Sequence, residues 1–470
     1  MSRIHLEPPA SVHLIGICGT GMGALAGLLK ASGFTVSGSD AHAYPPMSTD
    51  LESRGVRLIE GYRRSNLDHD PDLVVVGNVC RADHPEAAEA AKRGLTRASL
   101  PRAVHDIYLA DREPIVIAGT HGKTTTTALT AYLLHATGRE PSFLIGGISA
   151  DFGAGFGLGR GRHFVIEGDE YDSAYFEKRP KFLSYAPAAA VITSVEHDHI
   201  DIYPTAESYR AAFVELAELV APGPLAVYAG DPDGLRVAER ARRNVITYGV
   251  EGDVAGADPM WVGKVRQHGE FDLVVEGRDA GRFRTPIGGR HNLRNTLAAL
   301  IMAHGAAGVP LDELAEALPE FLGVARRQQV LGRPREITVY DDFAHHPTAV
   351  RETIDALAAL HPDGRLLAAF EPRSATACRS LHQRAYVEAF DRAGLAIIAP
   401  VGRDLPPEER LDTARLAADL ERRGVTALAA PDHEAVLNAI VGWARPGDGV
   451  VLMSNGAFGG IRHRLLEALE

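Results

Sequence analysis

The sequence predicts an α/β protein of three domains, and three observations carry that prediction. The chain has 470 residues, more than one hydrophobic core accommodates and enough for about three domains. Two short apolar strands each run into a glycine-rich turn that opens a helix, one at Val12–Ile15 and one at Ile115–Ala118. From Ile337 onward, short apolar strands alternate with polar or helical sequence, as in a parallel sheet covered by helices. Boundaries near Asp111 and just before Arg326-Arg327 give domains of 1–111, 112–323 and 324–470.

Composition narrows the function. A formal net charge of −12 argues against nucleic acid or anionic lipid as a partner, because both need clustered Lys and Arg. An acidic substrate would have to be held by local basic groups. Cys18, Cys80 and Cys378 are odd in number and far apart, so neither a disulfide framework nor a zinc spacing follows, and a reducing cytoplasm is expected. Val12–Leu29 imitates a signal peptide, but five glycines and Thr20 interrupt it, and a strand, turn and helix explain them better. No other stretch reaches the ~18 apolar residues of a membrane span.

The first domain begins with the strand Val12–Ile15 and the turn Gly16-Ile-Cys-Gly19-Thr20-Gly21-Met22-Gly23. A helix over Ala24–Ser32 and a strand over Phe34–Ser37 follow, ending at Gly38-Ser39-Asp40. Gly19-x-Gly21-x-x-Ala24 fits the dinucleotide fingerprint, and Asp40 stands near the distance at which an acid meets a ribose hydroxyl. The pattern reads as nucleotide diphosphate plus ribose without naming the base; the bland alternative is a tight turn that binds nothing. Leu73–Val76 is the clearest later strand.

The second domain opens with Glu113-Pro-Ile-Val-Ile-Ala-Gly119-Thr120-His121-Gly122-Lys123-Thr124-Thr125. Strand, glycine turn, Lys-Thr and a helix to about His135 make a phosphate cradle. Turn N–H groups and the helix N-terminus face oxyanions, Lys123 supplies a mobile charge, and a Thr hydroxyl can hold Mg²⁺. The full P-loop pattern wants glycine where Ile117 stands, so the loop is a shortened form that binds a nucleoside triphosphate. The strand His163–Ile166 runs into Glu167-Gly-Asp169-Glu170-Tyr-Asp172, and the strand Ala190–Thr193 into Glu196-His197-Asp198-His199-Ile-Asp201. Both clusters emerge at carboxyl ends of strands, where open parallel sheets bind ligands. Carboxylates and imidazole beside a triphosphate suit Mg²⁺. Zinc on His197 and His199, and plain solvated loop charge, are the other readings.

Residues 222–288 read as a small insertion of short strands with Gly and Asp turns. Gly289-Arg-His291-Asn292-Leu-Arg-Asn295 then enters an apolar helix over Thr296–Ala306. Two Asn and a His exceed what a helix cap needs, so base or ribose contact is expected. In the third domain the strands are Ile337–Tyr340, Leu366–Phe370, Ala396–Ala399, Ala427–Ala429 and Val450–Met453. Their loaded loops are Asp341-Asp342-Phe-Ala-His345-His346, Glu371-Pro-Arg373-Ser374 and Ser454-Asn455-Gly456-Ala-Phe-Gly459-Gly460.

In this order GTHGKTTT, EGDEYD, EHDHID, GRHNLRN, RR and DDFAHHPTA resemble the Mur ligases, ATP-dependent amide-forming enzymes of bacterial peptidoglycan metabolism. The resemblance covers almost the whole chain. GICGTGMG, SDAHAYPPMST, EGDEYDSAYF, EPRS and MSNGAFGGI look most like the branch that joins recovered L-alanyl-γ-D-glutamyl-meso-diaminopimelate to UDP-N-acetylmuramic acid. The alternative is the branch that adds L-alanine to the same sugar nucleotide. The resemblance implies a Rossmann-like UDP-binding domain, a central P-loop ATPase domain and a Rossmann-like C-terminal domain that closes over the site.

The resemblance also implies roles. Gly19, Thr20, Gly21, Met22 and Gly23 would hold the UDP diphosphate, with Ser39 and Asp40 in the uridine pocket. The loop Gly119–Thr125 would cradle ATP, with Lys123 on the β- and γ-phosphates and Thr124, Glu167 and His199 as magnesium ligands. Asn292 would meet adenine, Arg327 the transferred phosphate, and Asp342 with His346 the ribose side. Arg373, Ser374, Ser454 and Asn455 would face the incoming peptide. Lys123, His199 and Arg327 are the expected catalytic groups, and a monomer or weak homodimer is the expected assembly. One departure stands out: several Mur ligases carry a carbamylated lysine downstream of the DHxD motif, and residues 200–221 contain no lysine. Either Glu207 or Glu215 substitutes there, or water completes the site.

The implied chemistry is consistent with these residues. A muramyl carboxylate is a poor acyl donor, and phosphoryl transfer makes it an acyl phosphate that the peptide amine can attack. Closing the third domain would keep water from that intermediate. A nicotinamide dehydrogenase would leave the P-loop without a purpose. A nucleotide sensor of the same fold would not need Lys123, Glu167, His199 and Arg327 together.

Overall fold

Five parallel strands in the order Arg57–Glu60, Thr35–Asp40, Ser11–Ile15, Leu73–Val76, Arg97–Ser99 form the first sheet. Chain order reverses between Ser11–Ile15 and Leu73–Val76, so the crevice at their carboxyl ends is the ligand-binding switch point of a doubly wound sheet. The glycine turn 16–23 sits in that crevice. The computed structural model describes residues 3–43, 47–200, 202–220, 223–253 and 259–470. Tyr44–Pro46 of the SDAHAYPPMST motif and Asp201 of EHDHID lie outside them.

The second sheet has ten strands. Glu113–Ala118 lies inside it, paired in parallel with Ala189–Ile192 on one side and His163–Gly168 on the other. This places the P-loop between the two acidic loops, as the run of strand ends predicts. Residues 222–288 correct the expectation of a small insertion. Leu225–Tyr228 and Ile246–Val250 continue the same sheet in parallel, and Trp261–Val265, Glu270–Val275 and Arg278–Arg284 extend it further. The strands are short and bounded by turns, but their backbone hydrogen bonds go to the main sheet. The sheet ends on one side at Arg278–Arg284 and on the other at Ala154–Gly157.

The helix Lys123–Ala136 shows how a threonine-rich segment becomes core. Thr127 and Thr130 donate their hydroxyls to the carbonyls of Lys123 and Thr126, at 2.8 and 2.7 Å. That satisfies buried oxygens within the helix, so the helix is covered on nearly every face. The first two sheets share one compact unit, made of Met1–His197, Thr205–Pro286 and Arg294–Leu322. Within it, Phe156 packs on the helix Thr20–Ala31 so closely that a Cβ at Gly27 would lie 2.1 Å from its Cζ.

The other compact unit comprises Asp198–Pro204, Ile287–Leu293 and Gly323–Glu470. Its sheet runs Gln329–Gly332, Thr338–Asp342, Gly449–Met453, Leu366–Phe370, Leu395–Ile398, Thr426–Ala429, parallel except for the first strand. Period-2 alternation feeds two cores. Leu366, Ala368, Phe370 and Val451 pack with Val350, Ile354 and Tyr386. Leu367, Ala369, Val450 and Leu452 pack with Val436, Ile440 and Leu465. Among the described residues no helix is long and apolar enough to cross a membrane.

Candidate active site

The P-loop is shaped by two glycines. Gly119 has φ +132° and Gly122 φ +81°, conformations that side chains disfavour. A Cβ on Gly119 would meet Thr193 Oγ1 at 2.1 Å, and one on Gly122 would meet Asn295 Oδ1 at 2.3 Å. Thr193 and Ser194 brace the loop from the neighbouring strand: Ser194 Oγ accepts from His121 N at 3.0 Å, and Thr193 Oγ1 donates to His121 O at 2.5 Å. The helix that follows has no side-chain N-cap, and neither does the helix Thr20–Ala31 after the first glycine turn. Helices starting after Thr205, Asp231, Asp412 and Asp432 do carry one. Both glycine turns therefore leave first-turn N–H groups for an anion.

Charge converges on Lys123. Its Nζ lies 3.0 Å from Glu170 Oε2 and 2.5 Å from Gly119 O. Burial pushes the ammonium down, but Glu170, Asp169 and Glu167 outweigh burial and hold it above its ordinary value. Thr124 Oγ1 donates to Glu167 Oε1 at 3.0 Å, and Glu167 Oε2 accepts from Gly146 N at 2.7 Å. Lys181 pairs with Asp169 at 2.9 Å. His121 Nε2 lies 2.7 Å from Glu196 Oε2, while Thr120 Oγ1 donates to Glu196 O at 2.9 Å. Thr125 is buried in the first helical turn. The arrangement fits a triphosphate with magnesium: a cradle that a Cβ would fill, one enclosed ammonium, and a hydroxyl–carboxylate pair beside it.

The first glycine turn is pinned from behind. Asp40 Oδ2 accepts from Cys18 N at 2.9 Å, and Ser39 O accepts from Gly16 N and Ile17 N at 2.8 and 3.1 Å. Ser39 is fully buried and its hydroxyl donates to Glu86 at 2.6 Å, so it holds the turn from within. Gly19, Thr20 and Gly21 are exposed, Met22 is buried, and a Cβ on Gly23 would meet Met47 Sδ at 2.6 Å. Burial, with Asp40's charge second, pushes the Cys18 thiol up to about 11.

The remaining expected residues belong to the second unit. His199 has φ +55° and donates its N–H to Asp198 Oδ1 at 2.7 Å. Burial raises Asp198, but His199, a hydrogen bond from Thr376, His345 and His346 outweigh it and hold the carboxyl well below the usual range. Asn292 donates to Gly288 O at 2.8 Å. Arg327 lies over the Phe343 ring at 4.9 Å, between Arg326 and Gln328, which both have positive φ. Asp342 accepts from Gln328 N at 2.8 Å, Ala344 N at 2.7 Å and Thr353 Oγ1 at 3.3 Å, so it organises the loop around Arg327. His346 caps the helix Pro347–Ala358 through Thr348 N at 3.4 Å.

Arg373, Ser454 and Asn455 come together on adjacent strand ends, where Phe370 pairs with Met453. Between them stands Glu371, accepting from Ser454 Oγ and lying 3.7 Å from Arg373 Nη1. Asn455 Oδ1 is buried without a hydrogen-bond partner. Ser374 caps its own turn, accepting from Ala377 N at 3.0 Å. Arg326 clamps this loop through Ser454 O at 2.5 Å and Gly456 O at 2.8 Å.

The two glutamates weighed against water for the place of the carbamylated lysine both pair with arginines at the surface. Glu207 is exposed and pairs with Arg210 at 3.0 Å and with Arg240; Glu215 is exposed and pairs with Arg179 at 3.6 Å. From the same helix, Ala206–Leu219, the residue that reaches the P-loop is Tyr209, whose OH lies 3.0 Å from Thr120 Oγ1 and 3.5 Å from Glu170 Oε1. Tyr209 carried no sequence signal beyond that of a core aromatic. Glu170 was visible only as one of four clustered carboxylates.

Two glycine turns opening uncapped helices, one of them with an enclosed lysine and a Thr–Glu pair, define a protein built to bind nucleotide phosphates at two places. Mur ligase models match the chain in all three parts: the family's catalytic domain over 11–112, its middle domain over 117–303 and its glutamate ligase domain over 326–456. The chain belongs to the Mur ligase family of ATP-dependent amide-forming enzymes. It is 35% identical to the UDP-N-acetylmuramate–L-alanyl-γ-D-glutamyl-meso-2,6-diaminoheptandioate ligase of Escherichia coli K12, covering 97% of this chain and 98% of that one. It is 36% identical to the UDP-N-acetylmuramate–L-alanine ligase of a Nocardioides species, covering 98% and 96%. The solved murein peptide ligase of Psychrobacter arcticus 273-4 superposes with a TM-score of 0.71 at 32% identity, covering 98% of both chains.

Proposed function

We propose that this chain joins L-alanyl-γ-D-glutamyl-meso-diaminopimelate to UDP-N-acetylmuramic acid at the expense of ATP, releasing ADP and phosphate. The exposed turn Gly19–Gly21 receives the UDP diphosphate, with Met22 and Gly23 shaping the helix start and Asp40 fixing its entry. The Gly119–Thr125 loop receives ATP, and Lys123 exchanges Glu170 for phosphate oxygens. Thr124 and Glu167 would hold magnesium, with His199 as a further ligand, and such an ion would supply positive charge against the phosphate oxygens. Arg327 meets the transferred phosphoryl group, Asn292 the base, and the Asp342–His346 loop the ribose side. The three functional segments are 1–111, 112–323 and 324–470, working in the cytoplasm as a monomer or weak homodimer.

The observation that supports a peptide acceptor is Arg373 on Glu371, half-exposed at a strand end beside Ser454. A planar guanidinium there suits a carboxylate. A second reading, a ligase for free L-alanine, rests on the alanine-adding relative that is 36% identical. Phosphate release with ATP and UDP-N-acetylmuramic acid separates the two. The tripeptide should support far faster release than L-alanine at equal concentration, and equal or faster release with L-alanine would promote the second reading.

A further inference from the structure

The carboxyl edge of the C-terminal sheet carries one more group than the peptide reading uses. Glu371 is 1% exposed, and its Oε1 lies 2.9 Å from His433 Nε2 as well as 3.7 Å from Arg373 Nη1. His433 opens the helix His433–Trp443, behind the N-cap Asp432, which accepts from Ala435 N at 2.8 Å. The Phe458 ring packs edge-on against the imidazole, 5.9 Å between centroids. Arg403 reaches the same loop, donating Nε to Arg373 O at 3.1 Å.

The 454–460 loop is fitted to these side chains. A Cβ on Gly456 would lie 2.2 Å from Arg373 Cδ, and one on Gly459 would lie 2.5 Å from His433 Cγ. These two glycines leave room for Arg373 and His433. The buried carboxylate orients two donors that keep 48% and 34% of their side chains in solvent. The buried Glu371 carboxylate thus holds a guanidinium and an imidazole side by side at one strand end, with the Arg403 guanidinium on the Arg373 carbonyl. Such an arrangement selects an anion.

We propose that His433, oriented by Glu371, is a specificity-determining residue that contacts a carboxylate of the peptide acceptor together with Arg373. This rests on the peptide-ligase reading. Free L-alanine has one carboxylate, beside its attacking amine. The tripeptide carries others remote from the amine, and only these can use a second hydrogen-bond donor beside Arg373.

The test is steady-state phosphate release by the full chain and its His433→Ala and His433→Gln variants, varying each of the three substrates. Loss of one charge-assisted hydrogen bond should raise KM for the tripeptide about ten- to hundred-fold. The kcat and the KM values for ATP and UDP-N-acetylmuramic acid should stay within about two-fold, at unchanged melting temperature. A tripeptide amidated on its diaminopimelyl carboxylates should lose a similar factor on the unmodified enzyme and little more on His433→Ala. If the enzyme turns over the tripeptide but the variants keep its KM, or if all three KM values rise together, the role of His433 is refuted. Fully additive losses for variant and amidated peptide refute it as well. Preference of the unmodified enzyme for L-alanine would overturn the peptide-ligase reading itself, and this inference with it.

Discussion

Lys123 Nζ lies 3.0 Å from Glu170 Oε2, and that carboxylate is almost wholly excluded from solvent. The pair shows what the P-loop does with its lysine in the absence of phosphate. Burial alone would favour the neutral amine, and the surrounding carboxylates reverse that preference. Because the folded-state value is raised, the stabilisation is present throughout the neutral range and fades only as pH rises above the ordinary lysine range.

Lys123→Ala should abolish turnover while leaving UDP-sugar binding intact, because the two glycine turns sit on different sheets. It strands a buried carboxylate, a loss that costs about 3–5 kcal/mol; adding Glu170→Gln should recover most of the melting temperature but none of the activity. Calorimetric titration with each nucleotide and a thermal melt check this. More than a few per cent of residual turnover would contradict the assignment.

Glu167→Gln and His199→Ala should each raise the half-saturating magnesium concentration. Glu167 shares a hydrogen bond with Thr124 at 3.0 Å, the hydroxyl–carboxylate pairing that magnesium uses beside a phosphate. A magnesium titration of activity reads this directly. If both profiles match the unmodified enzyme, Glu167 merely braces Gly146.

Gly122→Ala should cost roughly 1–3 kcal/mol through its left-handed backbone and raise KM for ATP at least about ten-fold. The added methyl would also meet Asn295 Oδ1 at 2.3 Å. Combining it with Asn295→Ala should relieve the collision and leave the backbone strain. Urea unfolding of both variants separates the two contributions; an unchanged single variant would show that the loop tolerates a side chain.

Asp40→Ala should raise KM for the UDP sugar with ATP affinity nearly unchanged. Asp40→Asn should do much less harm to the turn, since an amide oxygen can still accept from Cys18 N, now 2.9 Å from Asp40 Oδ2. Equal damage from both substitutions would mean that the charge itself meets the ligand.

Acid stability should depend on Asp198. Its carboxyl is depressed in the folded protein despite burial, chiefly by His199. A depressed carboxyl stabilises the fold above its unfolded value of about 3.9 and loses that contribution as pH falls toward the lower folded value. Asp198→Asn should therefore lower the melting temperature near neutrality and flatten its decline below about pH 4. A decline as steep as in the unmodified protein would remove Asp198 from the acid response.

Much of this was legible in the chain. Leu73–Val76 and Leu366–Phe370 form strands over the expected residues, because continuous apolar runs between turns admit few other folds. The P-loop was legible because strand, glycines, Lys123 and helix are contiguous. Contacts made by remote residues were not. Tyr209 looks like one more apolar position of an amphipathic helix, and only packing brings its hydroxyl to Thr120. His433 follows Asp432 in what reads as an ordinary helix start, and Glu371 acquires its partners from two other strand ends. The stretch 222–288 misled because short strands betray their own length, not the identity of the sheet they join.

The two ends of the ten-stranded sheet bear on how copies of this chain can associate. One terminal strand, Arg278–Arg284, exposes Arg278, Asp279, Arg282 and Arg284 to water, with Arg282 paired to Asp272 of the neighbouring strand at 3.1 Å. The other, Ala154–Gly157, is four residues long and has Phe156 wedged against the helix Thr20–Ala31. A second molecule seeking to prolong the sheet would meet a strand dense in charged side chains on one flank and a strand too short and too occupied on the other. Fibre-like growth of this sheet through unpaired backbone is thereby discouraged by the same strands that finish it.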